Sequence, residues 1–257
     1  MAKPSFLFIS PHLDDAVLSC GGFIGKLCGL GYAVHVLTLF SGSPRGRLSL
    51  LAKALHADWR LPKDAPALRR EEDRQALAVL GAGALHAGFL DCIYRRDPQS
   101  GKFVYQRLGQ ILGQETAGEP NLLEEIGEYL RDTIRSGCYE HVFAPLALGG
   151  HVDHRITHAA VKRIAPQLPQ LKFHYYEDLP YAIGDAACGE RMKGMRSYIC
   201  TRVDGPLQKY AAMASYTSQV KNPRYSGGID IDAISNYGNT VSARAGAFAE
   251  RVWRSEF

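Results

Sequence analysis

The first forty residues constrain the fold more than any other part of the chain. "SFLFIS" at 5–10 is a short apolar run, the pattern of a strand buried on both faces. Residues 15–29, "DAVLSCGGFIGKLCG", carry apolar side chains at helical spacing and run out at Gly29 and Gly31, a natural helix stop. "AVHVLTLF" at 33–40 is a second buried strand, rich in β-branched residues. Strand, helix and strand in that order make a β-α-β unit with a right-handed crossover.

The alternation continues. A helix is expected over 65–81, with Pro66 early, acids in its first turns and Gly81 at its end. A strand over 85–91 ends in Asp91, and an amphipathic helix covers 122–136. A strand at 141–148 leads to a helix over 154–165 that stops at Pro166. Strands follow at 172–178 and 196–202, and helices at 206–219 and 241–253. The polar 41–65 stretch reads as a long loop with a short helix near 48–57, and 92–106 as a loop or hairpin that is a candidate lid over a site. The class is α/β with a mainly parallel sheet. No linker, low-complexity run or internal repeat interrupts it, so 1–257 reads as a single domain. In such sheets ligands sit at the carboxyl ends of the strands.

Composition narrows the partners. With 46% apolar and 22% charged residues, the balance is that of an ordinary soluble protein. A net charge of +4 is too diffuse to argue for nucleic acid, and the arginines are scattered rather than striped with aromatics. The six cysteines, at 20, 28, 92, 138, 188 and 200, form no Cys-x-x-Cys pair. They read as buried reduced thiols, which fits a cytoplasmic protein. "MAKPSFLFIS" meets His12 and Asp14 too soon for a signal peptide or membrane span. No Gly-x-Gly-x-x-Gly follows the first strand, which disfavours a dinucleotide site. The Gly21–Gly22 pair reads instead as a place of close helix packing.

Polar residues at the strand ends carry the chemistry. His12, Asp14 and Asp15 follow the first strand, and His151, Asp153 and His154 follow the 141–148 strand, with Asp91 after 85–91. Catalytic zinc takes three protein ligands of this kind and keeps a position open. His12 and Asp15, one turn apart at a helix start, face one ion together, and His154 is the third ligand. Asp14 points elsewhere and is the general base for an attacking water. His151, as an imidazolium oriented by Asp153, is placed to stabilise an oxyanion. This set suits hydrolysis of an amide or ester. The same ligands also suit Fe(II).

At these residues the chain resembles the PIG-L, or LmbE-like, family of zinc-dependent N-acetylglucosaminyl deacetylases. "PHLDD" (11–15) and "GGHVDHR" (149–155) carry the likeness, and "RREEDRQALAVLG" (69–81), "GFLD" (88–91) and "KYAAMASYTSQ" (209–219) extend it. The resemblance implies a Rossmann-like three-layer α/β/α fold with the site at the carboxyl ends of the strands. It implies zinc on His12, Asp15 and His154, Asp14 as base, and His151 with Asp153 beside the tetrahedral intermediate. It also implies that Arg69 and Asp91 contact the sugar of a small-molecule N-acylated amino sugar or glycoconjugate. Leu13 and Val152 stand where the family motif has Pro, at positions that should not touch the metal. Tyr94, Arg95 and Arg96, with the 41–65 loop, are expected at the substrate rim. Glu177, Asp178 or Tyr181 are further candidates for the pocket wall, against an ordinary strand end. Alternatives are a metal-dependent amidase on a non-sugar or long-chain N-acyl substrate, a non-catalytic sugar-binding relative and a nucleotide-binding Rossmann protein.

Overall fold

The computed structural model describes residues 3–61, 64–113, 119–184, 192–203, 206–220, 229–244 and 247–255. The opening unit forms as its pattern requires: β1 (Ser5–Ser10), α1 (Asp15–Gly29) and β2 (Ala33–Thr38). β1 and β2 pair in parallel from Ser5↔Ala33 to Ser10↔Thr38. Next come α2 (Leu50–Asp58), α3 (Ala65–Leu80) and β3 (Gly83–His86). Gly81 ends α3 in the left-handed region at φ 79°, returning its N–H to the last turn. The chain continues through α4 (Leu108–Ile111), α5 (Pro120–Ser136), β4 (His141–Pro145), α6 (Val152–Ile164) and β5 (Lys172–Tyr176). It closes with β6 (Met195–Val203), α7 (Leu207–Ala214), α8 (Ile231–Ser242) and β7 (Phe248–Ser255).

The seven strands form one sheet in the order β3-β2-β1-β4-β5-β7-β6. The first five are parallel, and β7 runs antiparallel to both β5 and β6. From β1 the chain winds outward through β2 to β3, then returns to β4 on the other side of β1. Right-handed crossovers that progress in opposite directions put their helices on opposite faces. α1, α3 and α7 accordingly pack together on one face, and α5 with α6 on the other. The order reverses between β1 and β4, which opens a crevice at their carboxyl ends. The two metal-ligand motifs leave the chain at those two strands.

Two expected elements are corrected. The 85–91 strand ends at His86, and Asp91 instead caps a 3-10 turn, Cys92–Tyr94, accepting from the Ile93 N–H at 3.1 Å. Between them the 88–89 backbone presses on Gly42, whose N–H donates to the Phe89 carbonyl at 2.9 Å. The tail is not a helix over 241–253: α8 ends at Ser242 and β7 begins at Phe248. Ala, Glu and Arg in "ARAGAFAER" favour helix, but β7 pairs with β6 along its length and with β5 at Val252 and Trp253. Ladder partners on both sides override local propensity there.

β7 also explains the Gly21–Gly22 pair. Glu250 and Lys209 of α7 form a buried ion pair at 2.7 Å, and Glu250 accepts from the N–H groups of Gly22 (2.9 Å) and Phe23 (2.7 Å). A Cβ on Gly21 would lie 3.1 Å from Lys209, and one on Gly22 3.2 Å from Glu250. The small residues let α1 approach this pair, which braces the helix that presents Asp14 and Asp15. Cys20 and Cys92 are free and buried, Cys138 is free and exposed, and Cys188 lies outside the described residues. No helix among the described residues is long and apolar enough to cross a membrane.

Removing one partner of a buried pair strands the other charge. Glu250→Ala should therefore lower stability by about 3–5 kcal/mol in urea unfolding, and Lys209→Met combined with Glu250→Leu should recover much of it.

Candidate active site

The turn after β1 is built around its own polar groups. Ser10 Oγ donates to the His12 carbonyl at 2.6 Å and accepts from the Ala16 N–H at 3.1 Å. Asp15 opens α1, and its Oδ2 accepts from the His12 N–H at 2.8 Å. That oxygen also lies 3.2 Å from His12 Nδ1 and 3.2 Å from His154 Nε2. The last contact crosses from the β1 loop to the start of α6, so the structure brings His12, Asp15 and His154 together.

The donor set fits a divalent cation. His154 Nδ1 pairs with Asp178 Oδ1 at 2.6 Å, which puts the proton on Nδ1 and turns the Nε2 lone pair toward Asp15. His154 is fully buried, and its Nε2 has no hydrogen-bond partner. Donor separations of 3.2 Å match the edge of a tetrahedron with metal–ligand bonds of about 2.0–2.1 Å. Ring nitrogens of His12, His151 and His154 also lie within 4.8 Å of one another. The local field agrees. Burial opposes charge on both imidazoles, but Asp15 and Asp178 carry His154 up to about 9. Asp15 and Asp153 likewise hold His12 well above the usual histidine range against its burial. A field that raises two buried imidazoles also favours a bound cation.

Asp14 does not join that cluster. Its Oδ2 lies 3.3 Å from Arg69 Nη2, which also donates to the Leu13 carbonyl at 3.4 Å. Burial outweighs the Arg69 charge and pushes the Asp14 carboxyl up to about 7, in the range where one group both takes and returns a proton near neutrality. Arg69 stacks on Trp59, its guanidinium 4.9 Å from the ring centre. His12, Asp14, Asp15, Arg69 and Asp91 line one cavity of about 250 Å³ whose apolar wall includes Trp59, Tyr181 and Ile229. Leu13 and Val152 are buried and absent from that lining.

The roles expected of His151 and Asp153 change. The Asp153 carboxylate is fully buried and takes His12 Nε2 and the Cys92 N–H on Oδ2, both at 3.0 Å, and Arg95 Nη1 on Oδ1 at 2.6 Å. His151 Nδ1 instead accepts from the Asp153 backbone N–H at 3.2 Å, which leaves the ring proton on Nε2. Burial and the nearby His12 push His151 well below the ordinary range. In this arrangement His151 meets the Asp153 backbone rather than its carboxylate, and its Nε2 is the nitrogen left to donate.

The expected rim also divides. Arg96 is exposed, holding the Arg47 and Gly101 carbonyls at 2.8 Å, whereas Tyr94 and Arg95 are buried. Tyr94 OH meets His56 Nε2 of α2 at 2.6 Å. Glu177 is turned away from the cavity, on Arg251 and Trp253, while Tyr181 lines it. Sequence reading missed how α3 organises the wall. Asp73 accepts from Tyr216 at 2.7 Å and pairs with His86 at 2.7 Å, while Glu72 holds Thr217 and Ser218. These contacts fix the segment whose Gln219 reaches the cavity. The signal was available, since "RREEDRQ" and "SYTSQ" both stood out; only their contact was invisible.

Comparison with known proteins identifies the family of the chain. Residues 7–165 match the PIG-L family model, GlcNAc-PI de-N-acetylase. The 2'-N-acetylparomamine deacetylase of Niallia circulans is 31% identical over 194 residues, covering 70% of this chain and 68% of that protein. The enzyme of the same name from Streptomyces fradiae is 28% identical over 270 aligned positions, covering 96% and 88%. The crystal structure of the zinc-inhibited form of teicoplanin deacetylase superposes with a TM-score of 0.84 at 30% identity, covering 98% of this chain and 99% of that one. The chain belongs to the PIG-L family and is an N-deacetylase, a hydrolase of amide bonds.

Proposed function

We propose that residues 1–257 form one catalytic domain that removes an N-acetyl group from an amino sugar or its glycoconjugate with the help of zinc. The observation that carries this reading is the unpartnered Nε2 of buried His154, aimed at Asp15 in the wall of a cavity that also holds Asp14. The relatives act on related chemistry: two are named for N-acetylparomamine, and teicoplanin deacetylase is known in complex with teicoplanin. Free buried thiols support a reducing compartment, the cytoplasm.

His12, Asp15 and His154 hold the ion. Zinc supplies a Lewis acid for the amide carbonyl and a lowered pKa for water. Asp14 takes the proton of the attacking water on its carboxylate and returns it to the departing amine nitrogen. Arg69 keeps that carboxylate in place through the 3.3 Å contact. The Nε2–H of His151 donates to the oxygen that gains charge as the tetrahedral centre forms. Arg69 and Asp91, both in the cavity lining, present a donor and an acceptor to sugar hydroxyls. Trp59, Leu18 and Ile229 exclude water from the cavity wall.

Elemental analysis with acetate release from N-acetylated amino sugars tests the assignment. Wild type should carry about one zinc per chain, and His154→Ala should lose it. Asp14→Asn should keep zinc and lose turnover by about 10²–10⁴-fold. Iron in place of zinc would reassign the metal, and full activity in Asp14→Asn would remove it as the base. Asp178→Ala, which frees His154 to rotate, should weaken zinc binding to the metal-stripped protein by about 10–100-fold in a chelator competition.

A further inference from the structure

Arg95 was expected at the substrate rim, yet it does not line the cavity. Its side chain is only 7% exposed. The guanidinium is sandwiched between Phe40, 5.2 Å from the ring centre, and Tyr105, at 5.3 Å. Nη1 donates to Asp153 Oδ1 at 2.6 Å and to the Leu90 carbonyl at 3.1 Å. Nε forms an ion pair with Glu119 Oε1 at 2.8 Å, and Tyr105 OH holds the other Glu119 oxygen at 2.8 Å. Every contact points inward, and the strongest one ends on a carboxylate with no exposed surface.

That carboxylate passes the constraint on. Asp153 Oδ2 accepts from His12 Nε2 at 3.0 Å and from the Cys92 N–H at 3.0 Å. With the Nε2 proton held there, the other nitrogen of His12, Nδ1, faces Asp15 Oδ2 at 3.2 Å. A buried carboxylate that grips a ligand histidine sets both its tautomer and its ring angle. A planar guanidinium packed between two rings is in turn well suited to fix that carboxylate.

We propose that Arg95 is a positioning residue for the metal centre, acting through Asp153 on His12. The 92–105 excursion is then a strut behind the ligands, with Arg95 as its inner end and Arg96 as its outer face. This inference rests on the reading of His12 as a metal ligand. It separates Arg95 from Arg69: Arg69 meets the cavity and the base, and Arg95 meets neither.

The test measures zinc affinity of the metal-stripped protein by chelator competition, beside kcat and KM at saturating zinc. Arg95→Met should weaken zinc about 10–100-fold, with KM for the N-acetylated sugar within about twofold of wild type. Arg95→Met should add little to Asp153→Asn in the double variant, because both act along one path. Arg95→Lys, which keeps the charge but not the fork, should fall between wild type and Arg95→Met. If Arg95→Met alone does not fold, the double variant, which removes both charges of the pair, is compared with Asp153→Asn alone, and Arg95→Lys with wild type. Unchanged zinc affinity in Arg95→Lys and Arg95→Met, or a raised KM with normal zinc binding, would return Arg95 to the rim and overturn the proposal. Wild-type protein that takes up no zinc would overturn the metal reading itself, a result distinct from the first.

Discussion

One carboxylate oxygen, Oδ2 of Asp15, lies within 3.2 Å of two imidazoles that arrive from opposite sides of the sheet's reversal point. Charges gathered like this out of solvent are costly unless each is paired. Much of the surrounding structure supplies the pairing. Asp178 takes the far nitrogen of His154 and Asp153 that of His12. The backbone N–H of His12 takes Asp15 itself, which locks the β1 loop to the first turn of α1. A single topological fact, β1 lying beside β4, makes these contacts available.

The two neighbouring aspartates then live in different electrostatic worlds. Asp15, despite burial, is held well below the usual carboxylate range by His154 and His12. Asp14, one residue away, is raised to about 7 because burial outweighs the charge of Arg69. Adjacent backbone positions at a helix start point their side chains in different directions, and that is enough to shift two neighbouring carboxylates in opposite senses. The third helix ties this to the cavity wall. Arg69 reaches Asp14, and one turn further on Glu72 and Asp73 fasten the segment that ends in Gln219.

Much was legible in the sequence because it was local. Apolar runs marked β1, β2 and β4, helical spacing marked α1, α3 and α5, and Gly81 marked a helix end. His12, Asp15 and His154, which the structure brings together, stood in two short motifs at strand ends. The errors have physical causes. The 241–253 helix was inferred from residues that favour helix alone, and β7 formed because β5 and β6 flank it. Asp153 was expected to hold His151 with its carboxylate, but that carboxylate is taken by His12, Arg95 and the Cys92 N–H. The rim position expected for Arg95 fails because Phe40 and Asp153, far from it along the chain, hold its guanidinium inside together with Tyr105.

The sequence by itself determined the alternation of elements, the parallel class and the residue types able to hold a metal and move a proton. Periodicity and ligand chemistry act over a few residues, so they can be read in a line of letters. Only the tertiary structure decided which nitrogen of each histidine faces inward, which partner each aspartate keeps, and that Asp153 serves His12 rather than His151. Those outcomes depend on contacts such as His12 with Asp153, 141 positions apart. Long-range geometry sets them, since burial and the nearest charge decide the state of a titratable group.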